Sequence, residues 1–296
     1  MAKVLLQKRY KFFKNLLLIV LIFCAQKAFS QQSYSDYACV FSSNFMELSA
    51  GLSHQTFNPA TANANTIRIC QNALRTNFGV SNTKQIAETA EAIKKTGDSA
   101  TYKKLHAMLK KYPGQTVEQI AQKECLTVLQ TSQLYFVAAF SPILGEKALD
   151  AWDNARLIAL YRFSLGAKLI SEQDALAAVK PMVDALKKDC ANWEDFWARY
   201  LIGRQFSGLE QLKYEGFLST SRQAYQQSQK KINFEEYAFT PTPAATKAAV
   251  KMEQTGYHPA GKAKTFEQAQ RLLQPGHVFA ERDRATIEKL KKESIQ

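Results

Sequence analysis

Residues 146–206 read EKALDAWDNARLIALYRFSLGAKLISEQDALAAVKPMVDALKKDCANWEDFWARYLIGRQF, and this stretch decides the fold class. Its apolar residues recur at helical spacing, and no run of useful length alternates apolar and polar residues as a half-buried strand would. Ser171 and Asn192 each stand three residues before an aspartate, a pattern that resembles the capping box at a helix start. The stretch therefore predicts a compact helical hairpin over about 172–188 and 193–206, preceded by a helix from about 146 to 166 or 168.

The rest of the chain extends this helical pattern. Residues 31–60 are polar and aromatic and predict no helix, whereas Pro142 is expected to end a long helix and Pro181 to kink or split the one that contains it. After Gly208 the sequence becomes rich in Gln and only weakly amphipathic. We predict an all-α protein with a main helical domain over 31–210 and a looser C-terminal helical extension over 211–296. The other predicted helices span about 60–76, 83–95, 99–111, 116–140, 211–231, 244–253, 265–273 and 279–293.

The first thirty residues have the pattern of a secretory signal peptide. Five basic residues come first, ten apolar residues follow over 16–25, and Ala28-Phe29-Ser30 ends the segment on small residues. Ten apolar residues are too few to span a bilayer, which takes about 20. We therefore expect cleavage after about Ser30, no transmembrane anchor after cleavage, and a periplasmic or secreted protein. An uncleaved anchor and a buried core helix remain as alternatives.

The expected cleavage changes the meaning of the net charge, which is +13 for 39 basic and 26 acidic residues. The signal segment holds six of the basic residues and no acidic one, so the mature chain has a net charge of +7. Nucleic acid is scarce outside the cytoplasm, so no nucleic-acid partner is predicted. The remaining charge favours an acidic protein partner or an anionic component of the envelope.

Four cysteines remain after the signal peptide: Cys39, Cys70, Cys125 and Cys190. An even number in an oxidising compartment favours disulfides, and we expect at least one, with three possible connectivities for two. The alternative is four buried free thiols. No pair has the C-x-x-C spacing of a redox motif or a zinc site.

A first candidate cluster lies on the helix that contains Trp152, Asp153 and Arg156. Arg156 is placed to pair with the carboxylate three residues before it and to lie against the indole four residues before it. The functional interpretation is a clamp for an anion or substrate. The structural interpretation, which we favour, is a partly buried ion pair that stabilises the hairpin.

A second candidate cluster comprises Trp193, Trp197, Tyr200 and Arg204, whose spacing places them on one stripe of a helix. Tyr200 and Arg204 could contact a ligand, but such a stripe is more often part of the core. Serine-nucleophile, zinc, P-loop and dinucleotide motifs are not supported by any spacing in the sequence. We therefore predict no cofactor and no metal.

Three segments of the sequence resemble a known family, domain of unknown function 1266. They are Ala151–Arg156, Gly166–Glu172 and Asn192–Arg204, which follow the family's Trp-Asp-x-x-Arg, turn and Tyr-x-x-Gly-Arg patterns. The resemblance covers about 70–210 and implies a helical domain without a settled activity or any catalytic residue. The sequence departs from the family at Lys168, Leu169 and Asn192, and at Asp98, which follows Gly97 where a Gly-His pair is common.

The sequence thus favours an exported, noncatalytic binding or interaction protein of the bacterial envelope, such as an immunity-like protein or an adaptor. The alternative is an envelope hydrolase with an unfamiliar site near Arg156, Tyr200 and Arg204. These two hypotheses make different demands on the structure. A hydrolase needs its charged side chains to meet at an accessible site, whereas an interaction protein does not.

Overall fold

The computed structural model describes residues 34–52, 56–60, 63–207, 214–234 and 237. This part of the chain is helical and contains no strand, which confirms the predicted all-α fold. We label the helices in chain order. They are α1 (34–50), α2 (Ala64–Phe78), α3 (Thr83–Thr96), α4 (Asp98–Lys111), α5 (Val117–Lys123), α6 (Val128–Leu144), α7 (Asp150–Gly166), α8 (Glu172–Asp189), α9 (Trp193–Ser207) and α10 (Tyr214–Lys231).

Polar side chains set most of the helix starts. Asn63, Asn82 and Ser171 each accept a hydrogen bond from a backbone N–H in the first turn of the helix that follows. Such N-caps satisfy donors that have no partner within the helix. At the other end of α2, Gly79 adopts the left-handed conformation with φ 67°, and its N–H returns to the last turn. Glycine reaches this conformation without the steric cost that a side chain would bring.

Helix α7 is the centre of the molecule. It is buried along most of its length, and α2, α3, α8 and α9 pack around it, with α4 crossing near its start. Aromatic and aliphatic side chains from all of these helices meet in one core. Because α7 is buried on nearly every side, the charged groups that it carries must find their partners inside the protein.

Arg162 is one of these charged groups on α7 and is 0% exposed. Its guanidinium donates to Ser42 Oγ at 2.9 Å, to the Thr56 carbonyl at 3.1 Å and to the Phe57 carbonyl at 3.4 Å. It also donates to the Cys39 carbonyl at 3.4 Å. Arg162 therefore ties α1 and the segment that follows it to the central helix.

The structure corrects the prediction for the N-terminal part of the mature chain. Residues 34–50 form α1, although no helix was predicted there. The cause is its composition, because Ser42, Ser43 and Asn44 are buried beside the apolar residues of the helix. Buried polar residues hide the apolar period from which a helix is predicted.

The predicted long helix over 116–140 is wrong as a single element. The chain forms α5 and α6 instead, and Cys125 between them has φ 50°. Thr116 and Thr127 each make a full capping box with a glutamine three residues later, so two helix starts lie within the stretch. The second start outweighs the loose apolar period that continues across the break.

Pro142 does not end its helix where predicted, and Pro181 does not split the helix that contains it. Pro142 lies inside the last turn of α6, which continues to Leu144, and Pro181 lies inside α8 without splitting it. A proline removes one backbone donor and strains the preceding turn, and so close to the end of α6 only two residues of helix follow it. In α8 the surrounding packing keeps the helix in one piece, because Val179, Met182 and Val183 on either side of Pro181 are buried.

Helix α10 packs against α9. The Trp197 and Tyr225 rings stack with their centroids 3.9 Å apart. Lys231 also reaches back to Glu47 of α1, with 3.0 Å between Nζ and Oε1. The domain boundary at 210 stays a prediction, and the predicted helices after residue 243 and the signal peptide over 1–30 lie outside the described residues. Among the described helices, none combines the length and the apolar character needed to cross a membrane.

The structure contains no disulfide among the four cysteines, contrary to our expectation. Cys39, Cys70, Cys125 and Cys190 are all free. They lie on α1, on α2, after α5 and at the end of α8, and Cys125 is exposed whereas Cys70 and Cys190 are buried. Because each thiol is placed by a different element, no two of them lie within bonding distance.

Candidate functional site

The first candidate cluster meets α4 at the start of that helix. Asp98 Oδ2 accepts a hydrogen bond from Trp152 Nε1 at 2.7 Å and another from Arg156 Nη1 at 3.0 Å. The Arg156 guanidinium also lies over the Trp152 ring, 5.2 Å from its centroid. Asp98 occupies the first turn of α4, where a negative charge also interacts favourably with the helix dipole.

Asp153 is the most buried carboxylate of this cluster, with 6% exposure. Its Oδ1 accepts from Arg156 Nη1 at 3.1 Å, and its Oδ2 accepts from the Ser99 backbone N–H at 2.8 Å. Burial raises the pKa of Asp153 to about 7, and the nearby Asp98 charge adds to the rise. Arg156 and the Ser99 N–H act in the opposite direction without cancelling the rise.

A neighbouring set of contacts extends the network toward the surface. Asp150, in the first turn of α7, accepts hydrogen bonds from the Ser99 hydroxyl and from Lys103 Nζ, the latter at 2.7 Å. Lys103 is 45% exposed, so this pair lies at the edge of the protein. The first turns of α4 and α7 are therefore joined by a continuous set of polar contacts.

The second candidate cluster is divided by the structure. Tyr200 and Arg204 of α9 face the first cluster: the Tyr200 ring meets Trp152 edge-on at 5.1 Å between centroids. The Arg204 guanidinium lies 5.3 Å from the centroid of the same indole. Two arginines from different helices therefore approach Trp152, which is 1% exposed.

Gly203 allows this close approach of α9 to α7. A Cβ added at Gly203 would lie 2.2 Å from the Trp152 Cβ and 2.7 Å from its Cγ. Real side chains do not come this close, so only glycine fits. The Trp-Asp-x-x-Arg and Tyr-x-x-Gly-Arg patterns are thus the two halves of one contact.

Trp193 and Trp197 point to other neighbours. The Trp193 indole N–H donates to the Tyr237 carbonyl at 2.7 Å, and its ring packs against Phe41 at 5.1 Å. Trp197 stacks on Tyr225 of α10. These two tryptophans attach α1, α10 and Tyr237 to α9, and Trp197 also stacks on Tyr200 of its own helix, with 5.2 Å between the ring centroids.

Asp195 and Arg199 form a separate buried ion pair that was not predicted from the sequence. The sequence indicated Asp195 only as a residue at a helix start. Arg199 Nε donates to Asp195 Oδ1 at 3.0 Å, with side-chain exposures of 5% and 0%. Asp195 Oδ2 also accepts the Ala191 N–H at 2.8 Å. The spacing of four residues on one helix was the available signal, but burial cannot be read from spacing.

Asp98 is the contact residue that sequence reasoning weighted least. It was noted only as a departure from the family pattern, yet it accepts bonds from both Trp152 and Arg156. Its position immediately after Gly97 at a helix start was the available signal. Its partners lie more than fifty residues later, so only the packing of α4 on α7 shows them.

The chemistry available at this site is limited by its own hydrogen bonds. Arg156 bridges two carboxylates, and both oxygens of Asp153 are engaged. No group of three or more His, Cys, Asp or Glu side chains within the described ranges is arranged to hold a metal ion. The cluster thus gathers two arginines and the carboxylates of Asp98 and Asp153 around the buried Trp152, an arrangement suited to holding α4, α7 and α9 together.

Comparison with known proteins agrees with the resemblance seen in the sequence. The model of a family described as Protein of unknown function (DUF1266) matches residues 73–237, more than half of the chain. The match extends beyond the expected limit at 210 and takes in α10. No curated protein and no solved structure matches the chain.

Proposed function

Since the chain belongs to the DUF1266 family of proteins of unknown function, we propose its role from its own surface: it is a noncatalytic binding protein of the bacterial envelope. Its partner is an acidic protein surface. The envelope is proposed from the signal-peptide pattern of residues 1–30. The binding role is proposed from the outer surface of α4.

The observation that carries the binding role is a set of four exposed lysines on α4, which we call the α4 lysine face: Lys103, Lys104, Lys110 and Lys111. The pairs recur after seven residues and so lie on one side of the helix, about 10 Å apart along its axis. Lys103 pairs with Asp150 and Lys111 with Glu124. Lys104 and Lys110 make no ion pair within the described part of the chain, which leaves a net positive face.

The character of this face favours a protein partner over a lipid surface. A helix that binds a membrane lays apolar side chains into the bilayer next to its basic residues. In α4 the apolar residues Tyr102 and Leu105 are buried in the core and are not available for insertion. Of the apolar residues between the lysine pairs, Met108 and Leu109 are half-buried against the core, and Ala107 is exposed but small. Lysines with so little exposed apolar surface beside them suit an acidic protein surface, where complementary charge accelerates association and selects the partner.

The buried cluster supports a noncatalytic role. Burial raises the pKa of Asp153 to about 7, which makes this carboxylate a candidate for a general acid or base. Such a group must reach the substrate, but Asp153 is 6% exposed and both of its oxygens already accept hydrogen bonds. The network around it supports a role in positioning helices, and we keep the hydrolase as the alternative proposal.

The binding role can be tested by placing a photo-crosslinking amino acid at position 104 in cells that express the full chain. We expect a discrete adduct with an acidic protein, and no such adduct from position 84, an exposed lysine on α3. With the purified partner, Lys104→Glu combined with Lys110→Glu should weaken binding about tenfold or more. The matched charge reversal Lys84→Glu should leave the affinity unchanged.

Two further outcomes are informative. Absence of any specific adduct, or binding that ignores the charge reversals, would contradict the proposal. Binding of the purified protein to vesicles that contain anionic phospholipid, lost in the double variant, would replace the protein partner with a lipid. Cell fractionation and the mass of the mature chain test the envelope location separately, because an N-terminus at about Gln31 is expected.

A further inference from the structure

Ala107 lies at the centre of the α4 lysine face. It is exposed, and it stands three residues after Lys104 and three residues before Lys110, so it lies between them on the helix surface. These are the two lysines of the face that make no ion pair within the described part of the chain. The middle of the face is thus a methyl group with an ammonium group on each side.

The face has the pattern of residues against which a second helix packs. Ala100, which is half-buried, lies seven residues before Ala107, and Lys103 and Lys104 lie between the two alanines. Residues at positions i, i+3, i+4 and i+7 outline the hole that a side chain of a facing helix enters. Two methyl groups and two flexible lysine stems surround this hole, so the axes of the two helices can approach to about 8 Å.

The other two lysines of the face are held by carboxylates of neighbouring elements. Lys103 Nζ lies 2.7 Å from Asp150 Oδ1, and Lys111 Nζ lies 2.9 Å from Glu124 Oε1. Asp150 begins α7, and Glu124 follows α5. These pairs direct both lysines toward α7 and α5, so the charge available to a partner is concentrated on the two sides of Ala107.

The way in which a partner chain can dock is limited by the absence of a strand from the described residues. An extended segment commonly binds by adding a strand to an exposed sheet edge, and this part of the chain offers no such edge. A helix instead packs on the side chains of another helix, and charged residues that flank the contact select the partner. The arrangement of small and basic residues on α4 is of this second kind.

We propose that the partner binds the α4 lysine face with an α-helix, which lies along α4 and over Ala107. Acidic side chains on the two flanks of that helix pair with Lys104 and Lys110, and an apolar side chain between them enters the hole beside Ala107. This inference rests on the proposed function, because it names the part of the acidic partner that the same face takes.

The test compares two photo-crosslinking positions, 104 and 111, which are seven residues apart and so about 10 Å apart along α4. The full chain carries the photo-crosslinking amino acid at one of these positions in cells, and mass spectrometry locates the adduct in the partner. A helix beside α4 should give adduct sites about seven residues apart in one segment. An extended segment would give sites about three residues apart, because a strand rises about 3.3 Å per residue.

Ala107→Trp adds bulk at the centre of the face without changing its charge. It should weaken binding of the crosslinked partner, once purified, about tenfold or more, because the two helices can no longer approach closely. Ala107→Ser keeps the side chain small and should bind as the wild type does. Ala92→Trp, at an exposed alanine of α3, is the matched control for bulk and should also leave the affinity unchanged. Circular dichroism checks that all three variants fold.

Failure of this inference can be told apart from failure of the proposed function. Adduct sites about three residues apart, or in two unconnected segments, would overturn the helical partner and leave an acidic partner in place. The same holds if Ala107→Trp binds as tightly as the wild type while charge reversal at Lys104 and Lys110 weakens binding. Absence of a specific adduct from both positions would overturn both proposals.

Discussion

The contact between Gly203 and Trp152 predicts that Gly203→Ala destabilises the protein, although alanine is the better helix former. The added methyl group would lie 2.2 Å from the Trp152 Cβ, whereas carbon atoms in contact are normally about 3.5–4.0 Å apart. Trp152 cannot turn aside, because it is 1% exposed and its indole N–H is bonded to Asp98. Helices α7 and α9 must therefore separate.

Two opposing effects set the magnitude. Overpacking of a close-packed interior costs up to about 3 kcal/mol. Replacing glycine by alanine within a helix returns about 1 kcal/mol. The free energy of unfolding should therefore fall by about 2 kcal/mol, a substantial part of the roughly 5–15 kcal/mol of a typical domain.

Urea unfolding followed by far-UV circular dichroism measures this change. Gly79→Ala is the matched glycine control, because nothing lies within 4 Å of its added Cβ and only the left-handed backbone at φ 67° opposes it. Its cost should be about 1–2 kcal/mol, from the backbone alone. Ser207→Ala at the end of α9 should change stability little. A Gly203→Ala variant as stable as the wild type would refute the close packing of α7 on α9.

Three further predictions test other buried groups. Because burial raises the pKa of Asp153 to about 7, this group keeps its proton in the folded protein over a pH range in which the unfolded chain, with a pKa near 3.8, has released it. The contribution of Asp153 to the free energy of unfolding should therefore be fully present below about pH 4 and be lost as the pH rises through 7. Urea denaturation at several pH values should show that the free energy of unfolding falls less steeply with pH in Asp153→Asn than in the wild type. Glu88→Gln, a change at an exposed position, is the control and should keep the wild-type profile. A wild-type profile in Asp153→Asn as well would contradict the raised pKa. Asp195→Ala leaves Arg199 buried without this carboxylate, and urea unfolding should show a loss of about 3–5 kcal/mol in the free energy of unfolding. The double variant Asp195→Leu with Arg199→Met should recover much of that loss, because it removes both charges. If the single and the double variant were equally stable, the buried ion pair would be contradicted. Alkylation followed by mass spectrometry should modify the exposed Cys125 in the native protein. Cys70 is buried, and burial raises its pKa to about 11, so it should react only after unfolding. Recovery of disulfide-linked peptides would contradict the free thiols.

Local signals were sufficient for much of the fold. The start of α8 follows from Ser171, and the start of α3 follows from the pair Ser81 and Asn82, of which Asn82 is the N-cap in the structure. The end of α2 follows from Gly79. These features act within a few residues, so a sequence displays them directly. Helix α1 could not be predicted, because its buried polar residues interrupt the apolar period. Helices α5 and α6 could not be separated, because the apolar period continues across the second capping box.

The candidate site shows the same division between local and distant contacts. The pairing of Asp153 with Arg156 follows from a spacing of three residues on one helix. The approach of Tyr200 and Arg204 to Trp152 depends on how α9 packs on α7, which no spacing specifies. The stripe that contains Trp193, Trp197, Tyr200 and Arg204 was predicted as one surface, but its members face different helices.

The bonds of Arg162 determine how much chain is needed to make an independently folding unit. The family match begins at residue 73, yet the Arg162 guanidinium of α7 is held by oxygen atoms of Cys39, Ser42, Thr56 and Phe57. A protein shortened to the matched residues would keep the cation and lose these acceptors. It would also expose the apolar surface that Phe41 and Phe45 now cover. The described residues between 34 and 60 thus complete the core around Arg162. The part of this protein that can fold on its own therefore begins well before the residues that match the family.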